Sequence, residues 1–169
     1  MGQIPFSPDG HTLATAGLDH TARLWDLSDP HRPHSAAVLT GHTDGVTSAA
    51  FSPDGHTLAI ASADHTARLW DITAPHHPRG LATLTGHTDG IRQLAFSPDG
   101  CTLVTAGYDN TARLWDVTDP SHPNALATLT GHRGPHAAFS PDGHTLATGS
   151  ADNTARLWNI HSPTLTNEH

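Results

Sequence analysis

Short runs of apolar and β-branched residues, each closed by a turn signal, succeed one another along this chain. VTSAAF (46–51) is one such run, and it ends at Ser52-Pro53-Asp54-Gly55. That tetrapeptide fits a type I turn, with Ser first, Pro fixing φ at the second place and Gly fourth. TLAIAS (57–62) follows, so the two runs predict a β-hairpin. Ala63-Asp64-His65 leaves room only for another tight turn before TARLWDI (66–72), the third strand. The link APHHPRG (74–80) cannot extend that strand, because proline lacks the donor a ladder needs. LATLT (81–85) is then a fourth strand, ending at Gly86-His87. No stretch has the 3.6-residue period of an amphipathic helix. LAIA within the second strand is apolar toward both faces, as a sheet covered on both sides requires.

The pattern recurs. FSPDG stands at 6–10, 51–55, 96–100 and 139–143, and RLW at 23–25, 68–70, 113–115 and 156–158. Residues 41–85 and 86–130 are identical at 30 of 45 positions, so one unit has been duplicated. The array divides into a truncated first repeat (1–40), a second (41–85), a third (86–130) and a fourth (131–169). Four short antiparallel strands per unit, none helical, predict the blades of a β-propeller rather than a helical solenoid. Both ends depart from the pattern: MGQIPF replaces VTSAAF, Pro135 enters the fourth repeat's first strand, and HSPTLTNEH stands where an outer strand belongs. The expectation is an open arc of about four blades, the last lacking its outer strand, with an unpaired edge near 154–160. Raw apolar flanks at both ends then invite closure, by self-association of two arcs head to tail or by further repeats.

Gly-His, then a hairpin with SPDG, then Asp, then Trp-Asp resembles the WD40 repeat, and most of all the high-identity WD40 arrays of bacterial proteins. His42 to Trp70 and His87 to Trp115 are each 28 residues apart. The resemblance implies a hydrogen-bonded tetrad of His, Ser/Thr, Asp and Trp in each blade. The second repeat supplies His42, Ser62, Asp64 and Trp70, and the fourth His132, Ser150, Asp152 and Trp158. The third has His87, Asp109 and Trp115 but Gly107 at the Ser place; the first has Asp19 and Trp25, with Gly17 there. A buried indole N–H needs an acceptor, and Asp can hold an imidazole in one tautomer, so a structural role is expected. Ser, His and Asp also compose a hydrolase triad. A trio repeated in several blades, without a strained nucleophile turn and dispensable in one repeat, argues against that reading.

Charge narrows the partners. Eight Arg and no Lys face sixteen acidic residues, a formal charge of −8, and the arginines are scattered. Nucleic acid and anionic membranes, which need clustered cations, are therefore not expected. The chain carries no signal-peptide pattern and no spanning run, so a cytoplasmic location is expected. The one cysteine, Cys101, takes a turn position where three repeats carry His, and reads as an exposed turn residue. No cofactor motif is present. The histidines of DPHRPH (29–34) and APHHP (74–78) read as surface groups on proline-stiffened links, with a metal site as the alternative.

The function expected is a non-catalytic protein–protein interaction scaffold. The alternative is a regulatory or sensor segment of a larger bacterial signalling protein, a kinase or ATPase with a WD40 tail. In the family, partners often bind where the turns after the second strand and the starts of the innermost strands lie. The matching positions are Leu18, Ala63, Tyr108 and Ala151, and Gly2, Thr47, Arg92 and Pro135. Leu18, Thr47, Arg92 and Tyr108 are the candidate partner-binding residues; Tyr108 and Arg92 stand out, since aromatic and Arg side chains dominate interface energies.

Overall fold

A computed structural model describes residues 4–133, 136–160 and 167–168. They form four separate antiparallel sheets, with no helix among the described residues. The first sheet holds β1 (Thr12–Ala16), β2 (Ala22–Asp26) and β3 (His34–Leu39). The second holds β4 (Val46–Phe51), β5 (Thr57–Ser62), β6 (Ala67–Asp71) and β7 (Arg79–Leu84). The third holds β8 (Ile91–Phe96), β9 (Thr102–Gly107), β10 (Ala112–Asp116) and β11 (Asn124–Leu129). The fourth holds β12 (His136–Phe139), β13 (Thr145–Gly149), β14 (Ala155–Asn159) and β15 (Asn167–Glu168). Within each sheet sequence neighbours pair, so every sheet is a meander and corresponds to one blade.

The SPDG turns form as their residues dictate. The Gly55 amide donates to the Ser52 carbonyl at 2.9 Å, closing the turn, and Gly55 sits at φ 77°. The left-handed φ is free of cost for glycine, which explains its place in each copy. The Ser52 hydroxyl bonds Asp54 and accepts the Thr57 amide at 2.9 Å, locking the hairpin entry.

The ends differ in part from expectation. In the first sheet the place of the inner strand is taken, among the described residues, by an isolated bridge from Phe6 to Leu13 and the Ala14 amide donating to the Pro5 carbonyl at 3.0 Å. In the fourth, the edge at 154–160 is not wholly bare. β15 takes the outer place expected to be empty, although only two residues pair, Leu157 with Glu168 and Trp158 with Asn167. The edge of β14 offers a row of backbone donors and acceptors that an extended segment of any sequence can pair with. Gly2 and Pro135 lie outside the described residues. Cys101 is half-buried rather than exposed, its amide tied to Asp99 at 2.9 Å.

Blades stack through three apolar layers. Ala14, Ala22, Leu24 and Leu39 of the first sheet meet Ala49, Leu58, Ile60 and Ile72 of the second. The other face of the second, with Ala59, Ala61, Leu69 and Leu84, meets Ile91, Leu94, Leu103 and Trp115. Val104, Ala106, Leu114 and Leu129 then meet Ala137, Leu146 and Trp158. Each of these large side chains contributes about 1.5–3 kcal/mol on burial, so no blade is self-sufficient.

Candidate functional site

The inner strands place their first residues in a way that alternation alone does not. In β4 the register shifts between Val46 and Ser48, and in β8 between Ile91 and Gln93. Thr47 and Arg92 are therefore the extra residues of two β-bulges, a device that re-aims a side chain at a sheet rim. Thr47 donates its hydroxyl to the Ile91 carbonyl of the next blade at 2.5 Å. Gln93 does the same work one blade on: its amide nitrogen donates to Ala137 O at 3.0 Å, and its oxygen accepts the Ala137 amide at 3.2 Å. The sequence reading missed Gln93, whose signal is only that it replaces Ser48 of the previous repeat.

Above these bulges lies a cavity of about 820 Å³ to which all four blades contribute. Leu18, Thr47, Arg92 and Tyr108, singled out one by one from the repeat alignment, all line it. Ile4 and His136 complete the wall from the first and fourth blades. Leu18 and Tyr108 are open to solvent. Arg92 is the one formally charged side chain among the described lining residues, and no acidic group joins it. Partial burial, helped by the nearby Arg92 charge, pushes the His136 imidazole below its usual range. The mouth thus mixes apolar side chains, Ile4, Leu18, Val46 and Tyr108 among them, with polar ones and a cationic spot, on a chain of net charge −8. Beneath it a second cavity of about 500 Å³ is lined by Phe6, Phe51, Phe96 and Phe139 of the FSPDG hairpins, with Gln93 bordering both. The equivalent inner positions of four blades converge on one axis, as propeller geometry demands.

The tetrads need correction. In the third blade Trp115 Nε1–H donates to Thr105 Oγ1 at 3.0 Å, and Thr105 lies 2.8 Å from His87 Nε2. His87 Nδ1 faces Asp109 Oδ2 at 2.8 Å. These bonds run in one direction, from indole to hydroxyl to imidazole to carboxylate, with the imidazole proton on Nδ1. The hydroxyl comes from β9, two residues ahead of the place assigned to it from sequence. Ser62 and Ser150 are therefore not members of the tryptophan network. Ser62 Oγ donates to Asp44 O at 3.0 Å and accepts the Asp64 amide at 3.1 Å, and Ser150 Oγ donates to Arg133 O at 3.0 Å. The reason is reach: both places share one strand face, but Trp115 pairs with Leu103, so Thr105 is its diagonal neighbour and position 107 lies one step farther along the strand.

With the place corrected, completeness reverses. The third blade, which lacks Ser at 107, holds the full network. In the second blade the hydroxyl position is Ile60, and Trp70 Nε1 and His42 Nε2 are buried without partners, although His42 Nδ1 keeps Asp64 at 2.8 Å. In the fourth, Trp158 reaches Thr148 at 2.8 Å, while His132 stands 3.5 Å from Asp152 with its Nε2 unpartnered. In the first, Trp25 reaches Thr15 at 3.1 Å and Asp19 holds Arg23 at 2.7 Å. As for the triad reading, Ser62 is fully buried and its hydroxyl donates to backbone carbonyls, so it is no activated nucleophile.

Burial pushes the imidazoles of His42 and His87 below their usual range, outweighing the pull of Asp64 and Asp109. Burial would raise Asp64, but bonds from Thr66, the Thr43 amide and His42 hold it at about 2. Both shifts have one sign in stability. The unfolded chain binds protons more readily than the folded one below the ordinary histidine value of about 6.5, and again below about 4 at Asp64. The melting temperature is expected to fall as pH drops from 7 to 5, and further toward pH 3. His42→Gln should show a shallower fall between 7 and 5; an equal slope in both proteins counts against this assignment.

A third group lies on the outer rim. Asp26, His34 and His76 have candidate ligand atoms within 4.8 Å of one another. The sequence reading took these histidines for surface groups, with a metal site as the alternative; the structure brings one from each cluster together across a blade boundary.

The sequence profile of the family described as "WD domain, G-beta repeat" matches residues 3–26, 34–71, 79–116 and 123–159, which is most of the chain. A search of the curated proteins gives no match. Repeats of this family generally mediate protein–protein interaction and are generally not catalytic. The matched segments are offset from the sheets by one strand. Each of the last three begins with the outer strand of one sheet and ends on the tryptophan-bearing strand of the next, at Trp70, Trp115 and Trp158, and the first ends on β2 with Trp25. The chain belongs to the WD40 repeat family.

Proposed function

We propose that this chain is a non-catalytic protein-interaction scaffold whose partner docks at the four-blade mouth, and whose open flanks are closed by a second copy. The observation that carries the first part is the convergence of Leu18, Thr47, Arg92 and Tyr108 on one cavity. Its chemistry suits a partner segment that inserts an apolar side chain beside a carboxylate, the one meeting Leu18 and Tyr108, the other Arg92. Two χ angles and a large apolar area make an exposed tyrosine an inexpensive anchor.

The test uses the whole chain as bait and compares variants on the partner it retains. Tyr108→Ala and Arg92→Ala are each expected to weaken that complex at least tenfold. Val38→Ala, on an exposed outer strand, should leave it unchanged. Full binding by the Tyr108→Ala/Arg92→Ala double variant would overturn the docking site. Support for the second part comes from the two end faces, whose residues are the two halves of the interface that already recurs three times within the chain.

A further inference from the structure

Asp26 ends β2, and its Oδ1 accepts the Ser28 amide at 2.8 Å, which fixes the carboxylate plane. Its Oδ2 faces outward to His76 Nε2 at 3.0 Å and His34 Nε2 at 3.8 Å. His34 pairs across the sheet with Asp26, whereas His76 comes from the link between β6 and β7 of the next blade. His34 Nδ1 lies 3.4 Å from the Arg32 carbonyl, so in the Nδ1–H tautomer it donates there and turns the Nε2 lone pair toward Asp26. An imidazole held this way by a backbone carbonyl is the usual support of a metal-binding histidine. The two rings stack with centroids 5.7 Å apart and planes 21° from parallel. Each histidine directly follows a proline, Pro33 or Pro75, whose fixed φ lowers the entropy cost of holding it in place.

We propose that Asp26, His34 and His76 bind one divalent transition-metal ion of the Zn²⁺ type, which clasps the first blade to the second. Tetrahedral bonds of about 2.0–2.1 Å set neighbouring ligand atoms roughly 3.3 Å apart, and the two observed separations from Oδ2 straddle that value. Two imidazole nitrogens and one carboxylate oxygen suit zinc and leave a fourth position for water. Asp26 and His76 also line a cavity of about 650 Å³, which gives the ion a path.

The next blade boundary supplies the internal contrast. The positions equivalent to Asp26, His34 and His76 are Asp71, Arg79 and Ser121. There Arg79 sits 3.4 Å from Asp71, so the chain itself provides the cation. At the first boundary the same carboxylate meets two imidazoles instead. The aspartate is kept and the covalent cation is withdrawn, which is the change a metal site requires.

The test is calorimetric titration of the whole, tag-free, chelator-stripped chain with ZnCl₂, together with its melting temperature. One saturable site per chain is expected, and zinc at a hundredfold excess over Kd should raise the melting temperature by about 5–10 °C. His34→Arg/His76→Ser puts the residues of the sister boundary into this one, a set the same scaffold accommodates. That variant should bind zinc at least tenfold more weakly and lose the thermal shift. His122→Ala, an exposed histidine elsewhere, should behave as the wild type. Arg79→His/Ser121→His should raise the stoichiometry from one ion to two; an unchanged count speaks against the geometry. With sixteen histidines, diffuse adventitious binding is the rival outcome. Equal zinc affinity in the wild type and in His34→Arg/His76→Ser, or no saturable site, overturns the proposal.

Discussion

Thr105→Val is expected to destabilise the protein by about 2–4 kcal/mol in chemical denaturation at fixed protein concentration. The substitution is nearly isosteric, so it opens no cavity; what it removes is the hydroxyl that links two buried groups. Trp115 Nε1–H loses its acceptor and His87 Nε2 its donor, and each orphaned group costs about 1–3 kcal/mol. A small gain from the added methyl offsets part of this. The second blade offers a control. Ile60 occupies the equivalent place, where the hydroxyl is already missing, and Ile60→Val should cost only about 0.5–1.5 kcal/mol. Ile60→Thr restores an acceptor for Trp70 and a donor for His42 while giving up apolar contact, and should fall near the wild type or above it. A Thr105→Val protein within about 0.5 kcal/mol of the wild type would mean that the relay adds nothing to the third blade.

Leu157→Asp is expected to convert the proposed two-chain assembly into single chains of 17.8 kDa, read by sedimentation. The leucine of the RLW strand is 0% exposed at Leu24 and Leu69 and 2% at Leu114, but 48% exposed at Leu157. Inside the chain each of these leucines faces the next blade's Leu and Trp. At the other end, Leu13 and Trp25 of the first blade are only half-buried, whereas the equivalent Leu58, Leu103 and Leu146 are 0% exposed. In the proposed assembly one raw face is the knob and the other the socket of a single repeated interface. Two arcs joined head to tail satisfy both at once and bring the blade count to about eight, the upper end of the propeller range. A carboxylate at 157 would have to be buried unpaired in that contact, which should weaken it by about a hundredfold or more. Because Leu157 is exposed in the isolated chain, the change should leave the fold intact. A wild type that sediments as a single chain at tens of micromolar removes the idea.

Much of this was legible from residue order. The strand runs, the SPDG turns and the spacing to RLW placed the hairpins within a residue or two, because each signal acts locally: proline fixes φ, glycine accepts a left-handed φ, and β-branched runs prefer extended backbone. The candidate mouth was also readable, since positions equivalent by repeat must be equivalent around an axis. The hydroxyl of the tryptophan network was not. Motif matching pointed to Ser62 and Gly107, two residues beyond Ile60 and Thr105. Both places share a strand face, so alternation could not separate them; only the reach of the indole across the ladder does.

The sequence by itself determined four β-units, their internal turns and the order of strands within each, because those follow from short-range sterics and from duplication. It also determined that no unit could bury its own faces. Only the tertiary structure decided which side chains meet between units: Thr105 with Trp115 and His87, Gln93 with Ala137, and His76 with Asp26. The reason is physical. Contacts across a ladder or a blade boundary depend on strand twist, bulges and crossing geometry, which sum over many residues, so spacing along the chain does not encode which atoms arrive together.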